Sequence, residues 1–215
     1  MERNDLVVTN AKIMRDVCQQ VAKFSPNAVI IVLSNPLDVL CYCALKSGGF
    51  PDNRVMGMSG QLDAARYKSF IAETLNVSTK DVQALILGGH GKTMVPMPRY
   101  TTIGGIPIRN FLDEEKVQAA IHRTQLGGEE VIEHLGRSGW YAAGAAVCEM
   151  VESVICDQRR VFTVSAYLLG LRNCFRLWTL AQSGYATVFN NQFSITNNPF
   201  REWTLELETA TTPTG

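Results

Sequence analysis

One of the chain's three histidines stands where an imidazole can do chemistry: His90, within Gly88-Gly89-His90-Gly91. Glycines beside it carry no side chains to bury it, and they let the backbone turn sharply and a ligand approach closely. Apolar runs before it (residues 82–87) and after it (94–97) place it at the mouth of a strand, aimed into a cleft. Histidine titrates near neutral pH, so if an imidazole moves protons here, His90 is the one that does. His122 and His134 lie in a charged, helix-like segment and read as solvated.

Two more residues share a pattern with chemical meaning. Asp63 and Arg66 are three apart in a stretch with helical periodicity, so both project from one face. A histidine that takes a proton works best when a carboxylate fixes its tautomer and balances the imidazolium. An arginine beside such a pair suits a substrate carboxylate, whose two oxygens match the guanidinium fork. Arg3 is a candidate second anion contact. Each signal has a plain alternative. An isolated Asp-x-x-Arg is most often a surface ion pair of little worth. A glycine-rich loop can hold a histidine without a role, and Asn35-Pro36 can be a simple turn.

The elements that must position these residues begin with a helix over 5–24, where Ile13, Val17 and Val21 recur every four residues until Ser25-Pro26-Asn27. Residues 28–33, AVIIVL, are β-branched and do not alternate, as in a strand covered on both faces of a parallel sheet. A helix over 37–46 ends at Gly48-Gly49, and residues 54–57 form a second strand. Helix, buried strand, helix, strand is the rhythm of a doubly wound, Rossmann-like α/β sheet. Ligands of such sheets bind beyond the carboxyl ends of the strands, where Asn35 falls.

The second half reads as α+β. It has a helix over 61–75, strands over 82–87 and 94–108 with a hairpin turn at Gly104-Gly105, and a helix over 116–135 weakened by Gly127-Gly128. A small-residue-rich helix over 140–155 is expected to pack closely, and residues 161–166 return as a strand. After about Gly170 the character changes: residues 171–215 contain no Lys and no Asp and show no clear periodicity.

A chain of 215 residues can bury a real core. Twenty basic residues match twenty acidic ones, so no charge excess draws it to nucleic acid or to an anionic membrane. The longest apolar run, 28–45, is interrupted by Asn35-Pro36 and Asp38 and is too broken to span a bilayer. A charged start, Met1-Glu2-Arg3-Asn4-Asp5, is no signal peptide. Of six cysteines only Cys41 and Cys43 lie close, without a second pair to complete a metal site. They read as small, mostly buried residues of a reduced cytoplasmic protein.

Taken together, several long motifs in register resemble the malate dehydrogenases of the lactate/malate dehydrogenase family. They are RNDL through NAKI (3–13), SNPLD (34–38), GMSGQLDAAR (57–66), LGGHGKTMVP (87–96) and SAYL (165–168), their order and spacing holding from about Met1 to Gly170. The form Gly-Gly-His-Gly followed by Thr-Met-Val-Pro is similar to the malate branch, since lactate enzymes usually carry Glu in place of Gly89. The resemblance implies an NAD-dependent oxidoreductase of the tricarboxylic acid cycle, cytoplasmic and homo-oligomeric, as a dimer or tetramer. It would act reversibly on the dicarboxylates malate and oxaloacetate. His90 would be general base and acid, Asp63 its orienting partner, and Arg66 the binder of the substrate carboxylate. Arg3 would be a loop arginine closing over the substrate. Asn35 would touch substrate and cofactor, while Asn10, Leu33 and Ser34 would line the NAD site.

Departures from the family pattern are as informative. No G-x-G-x-x-G turn occurs, nor the acidic residue that grips the adenosine ribose; in the family both precede the point matching Met1. The arginine that best separates malate from lactate would precede it too. Lys92 stands where the family usually has Asp. Residues 1–57 are thus expected to be the second half of a dinucleotide-binding domain, 58–170 the catalytic domain, and 171–215 an unassigned tail, consistent with a truncated gene and a frameshift near Gly170. Three alternatives stand beside an active malate enzyme: an inactive fragment lacking its cofactor half, a lactate-type 2-hydroxy acid dehydrogenase, and an oligomer-interface module built on the helices at 63–75 and 140–151.

Overall fold

The computed structural model describes residues 3–89, 93–137, 139–168 and 171–180, the side chains of 3–6, 168 and 171–180 excepted. The first half is a helix–strand–helix–strand unit: α1 (Arg3–Phe24), β1 (Ile30–Val32), α2 (Leu37–Gly48) and β2 (Val55–Met58). β1 and β2 pair in parallel, Ile31 opposite Met56. β2 is buried along its length, which explains its unalternating apolar composition. α2 ends on Gly49, whose φ of 63° lies in the left-handed region that glycine enters without strain.

Two expectations for this half need correction. β1 is three residues long, not six, and Leu33 beyond it is exposed. α1 does not bury Ile13 and Val17. It packs on α2 through Ala11, Met14, Cys18, Val21 and Ala22, a row spaced three, four, three and one, so Ile13 and Val17 are turned outward.

The second half contains α3 (Gly60–Leu75), α4 (Glu114–Leu135) and α5 (Trp140–Ile155) with six short or medium strands. These are β3 (Val82–Gln83), β4 (Ile86–Gly88), β5 (Met94–Pro96), β6 (Thr102–Ile103), β7 (Ile106–Pro107) and β8 (Arg160–Leu168). The expected strand over 82–87 is two strands in different sheets: β3 joins β6 and β7, while β4 pairs only with β5. The stretch 94–108 is broken because Pro98 opens a 3-10 turn and Pro107 removes another ladder donor. The hairpin at Gly104-Gly105 is present, both glycines at positive φ.

β8 does not stay with the second half. It pairs antiparallel with β2, and β9 (Leu171–Leu180) extends the ladder, giving one mixed sheet of order β1-β2-β8-β9. Residues 171–180, where no periodicity is legible, are therefore a strand. The close packing expected of α5 holds on one face only. Ala146, Met150 and Ser153 are buried, whereas a Cβ on Gly144 would meet nothing within 4 Å. No described helix is long and apolar enough to cross a membrane, and no cluster of metal-ligating side chains occurs among the described residues.

Cys148 and Cys156 are exposed, contrary to the expectation of buried thiols, whereas Cys18 and Cys41 are buried, and burial pushes the Cys41 thiol up to about 12. Alkylation of the folded chain at pH 8, mapped by peptide mass spectrometry, should label Cys148 and Cys156 well before Cys41. Equal labelling would show that α2 is not seated on the sheet.

Asp113 caps α4 by accepting a hydrogen bond from the Lys116 backbone N–H at 2.9 Å, which holds its carboxyl below the usual range. The charged form is favoured in the folded state, so its contribution is complete above the unfolded value of about 3.9 and is lost as pH falls through the folded one. Asp113→Ala should therefore lower Tm at pH 7, with the gap between the two proteins closing in acid. A gap independent of pH would contradict the cap.

Candidate active site

α3 begins where only glycine fits. A Cβ on Gly60 would lie 2.6 Å from the Ile86 carbonyl oxygen and 2.5 Å from Thr163 Oγ1. Both distances are shorter than real contacts, so the absent side chain lets the first turn of α3 sit directly on β4 and β8. One turn further along is Asp63, 2% exposed, with Arg66 Nη1 3.5 Å from its Oδ1. The surface ion-pair alternative is thereby excluded. A carboxylate out of water needs a partner charge, and the mostly buried arginine supplies it. Among the described residues, this long contact is the guanidinium's one polar interaction, so the fork retains donors for another anion.

Above Arg66 runs α4. A Cβ on Gly127 would be 3.3 Å from Arg66 Cδ, and one on Gly128 would be 3.8 Å from Nη1. α4 runs as expected without a break through both glycines. They allow its backbone to cover the arginine stem. Sequence reasoning missed them as site residues; the available signal was a glycine pair inside an uninterrupted helical pattern.

β4 leads from Ile86 to Gly88, at φ +78°, and then to Gly89, whose N–H donates to the Thr93 carbonyl at 3.1 Å. Gly88 pairs with Met94 across the hairpin. A Cβ on Gly88 would stand 2.6 Å from the Thr93 carbonyl oxygen, and one on Gly89 would collide with Thr93 Oγ1. Backbone closes position 88 to a side chain, whereas a side chain at 89 would require Thr93 to turn its hydroxyl away. His90 and Lys92 lie outside the described residues, as does the side chain of Arg3, whose backbone opens α1 rather than a loop.

The expected cofactor residues gather beyond β1. Leu33, Ser34 and Asn35 are exposed in succession, and Asn35-Pro36 is a cis peptide. Asn10 Nδ2 donates to the Asn35 carbonyl at 2.8 Å, tying α1 to this turn. On its far side Ser165 Oγ donates to Asp38 Oδ1 at 2.5 Å, tying α2 to β8. The structure thus makes two pairs, Asn10 with Asn35 and Asp63 with Arg66. Asn35 follows the carboxyl end of β1, and Asp63 and Arg66 that of the adjacent parallel strand β2, where α/β sheets place their ligands.

Residues 1–57 match the family model described as the lactate/malate dehydrogenase NAD binding domain, and residues 60–176 the one described as its alpha/beta C-terminal domain. The chain belongs to the lactate/malate dehydrogenase family. Within it, similarity is high to the malate dehydrogenase of Cytophaga hutchinsonii, 49% identical over 178 residues, which are 81% of this chain and 57% of that relative. A solved malate dehydrogenase from Salinibacter ruber superposes with a TM-score of 0.81 at 45% identity, covering 87% of this chain and 63% of that one. A Plasmodium falciparum malate dehydrogenase in complex with NADH gives 0.78 at 35% identity, covering 82% and 62%. The chain therefore spans little more than half the length of the curated relatives it matches.

Removing the Asp63 charge should strand the arginine. Asp63→Asn is expected to cost about 3 kcal/mol in urea unfolding, the usual penalty for breaking a buried pair, reduced here by the solvent that still reaches Arg66. Adding Arg66→Met should restore part of that loss. A double variant no more stable than the single would show that the two charges do not balance each other.

Proposed function

We propose that the chain carries the substrate-binding and proton-transfer part of an NAD-dependent malate dehydrogenase, interconverting malate and oxaloacetate. The observation supporting this most is the buried Asp63–Arg66 pair, seated by Gly60 against the strand that leads into Gly-Gly-His-Gly. His90 takes the proton of the substrate hydroxyl in oxidation and returns it in reduction. Asp63 holds the imidazole's other nitrogen and balances the charge that forms on the ring. Arg66 grips a substrate carboxylate with two parallel hydrogen bonds, and the Gly127-Gly128 backbone fixes its stem. Arg3 closes over the substrate. A glutamate at 89 would have to displace the Thr93 hydroxyl, which supports malate over the lactate-type alternative.

Leu33, Ser34 and Asn35, exposed after a parallel strand and tied to Asn10, fit the nicotinamide end of NAD: one apolar wall, one hydroxyl and two carboxamides. NAD, when bound, would supply the hydride acceptor. Asn35 touches both substrate and cofactor. We also read the chain as a cytoplasmic protein that assembles as a homo-oligomer through α3 and α5. Exposed Tyr141 and Ile155 on α5 are consistent with that.

NADH oxidation with oxaloacetate tests the reading. His90→Asn should cut kcat by about a thousandfold, the scale of a lost general acid. Arg66→Gln should act on KM as well. Equal rates for the chain and His90→Asn would remove His90 from the chemistry. A second reading is that these residues hold substrate without turning it over. Calorimetric titration with NADH separates the two, because tight binding excludes the second and no binding excludes the first.

A further inference from the structure

We infer that Arg123, on α4, is a positioning residue that sets the geometry of Arg66 from about one helical turn away along the α3–α4 seam. This rests on the reading of Arg66 as the carboxylate-binding arginine. Two facing rows make up the seam: Arg66, Phe70 and Glu73 on α3, and Arg123, Gly127 and Glu130 on α4, each spaced four and three. The Arg123 guanidinium lies 4.2 Å from the Phe70 ring centroid. Its Nη1 donates to Glu73 Oε2 at 2.8 Å, Nη2 to Glu130 Oε1 at 3.1 Å and Nε to Glu130 Oε2 at 3.4 Å.

Single surface ion pairs add little, but this is a network of one stacked and forked arginine between two carboxylates. Its consequence is local. One turn beyond Arg123 is Gly127, where a Cβ would touch Arg66 Cδ at 3.3 Å and Phe70 Cε2 at 3.8 Å. Phe70 therefore packs on both the clamp and the glycine. Val117, Ala120 and Ile121 hold the first half of α4 in the core with Tyr67 and Ile71, but no side chain at 127 or 128 anchors the second half, whose height above Arg66 is set by Arg123 gripping Phe70 and Glu73. Without that grip α4 lifts, the Arg66 stem loses its cover, and its fork gains freedom that substrate binding must then remove.

Nitrogen-15 relaxation of the Arg66 Nε–H in the full chain, beside calorimetric titration with malate, tests the clamp. Wild type should show an ordered Nε–H. Arg123→Met should show a mobile one and bind malate about tenfold more weakly, the scale of one slackened charge-assisted hydrogen bond. Arg123→Lys, which keeps the charge but loses the fork, should fall between them. Should Arg123→Met not fold, Glu73→Gln, changed at an exposed carboxylate, should raise Arg66 mobility in the same direction. An Arg66 as ordered in these variants as in wild type overturns the clamp, whatever their Tm. If wild type binds no malate while Arg66 loses order in the variants, the substrate reading fails and the clamp stands.

Discussion

Holding Asp63 almost wholly out of water is the constraint on which the rest of this structure depends. A carboxylate at 2% exposure is costly to bury without a partner charge, and Arg66 accompanies it, one turn along the same helix. That fixes which face of α3 turns inward and how close the helix must sit to the sheet. Gly60 permits the approach by presenting no Cβ to the Ile86 carbonyl. Gly127 permits the matching approach of α4 from above. The arginine is therefore held by a carboxylate at one end and by backbone along its stem, with little left to immobilise.

The same geometry links this pair to the rest of the sheet. Gly60 also faces Thr163 of β8, so the strand that closes the four-stranded sheet against β2 is the one that seats α3. Asp38, next to the cis Asn35-Pro36 turn, is bonded to Ser165 two residues further along β8. One strand thus bears on both the residues after β1 and those after β2. A division of the chain at residue 57 separates the two family-model matches but not the hydrogen-bonded sheet, because β8 crosses it.

Much of this was legible in the residues. Glycine and proline punctuation marks the helix ends, and the Asp63–Arg66 spacing predicts the shared face. Local pattern does not report tertiary exposure, which is where reading failed. Ile13 and Val17 have a helical spacing, yet α2 packs on the neighbouring row through Met14 and Cys18. Val82 to Leu87 reads as one strand because its composition is uniform, while its two ends pair with different partners. Gly127-Gly128 reads as a flaw in a helix until Arg66 is found beneath it. Spacing alone leaves a surface ion pair open as an alternative, since burial depends on Gly60, Ile86 and Thr163 meeting across a hundred residues of sequence.

The central claim is that Arg66, held by Asp63, and the histidine of Gly-Gly-His-Gly face a single anion. It is tested most directly by titrating the full chain with an unreactive dicarboxylate while following two resonances together, the His90 ring Cε1–H and the Arg66 Nε–H. One site predicts that both shift along a single saturation curve with one Kd, leaving the rings of exposed His122 and His134 unmoved. Different dissociation constants for the two signals, or a shift at Arg66 with none at His90, would contradict it.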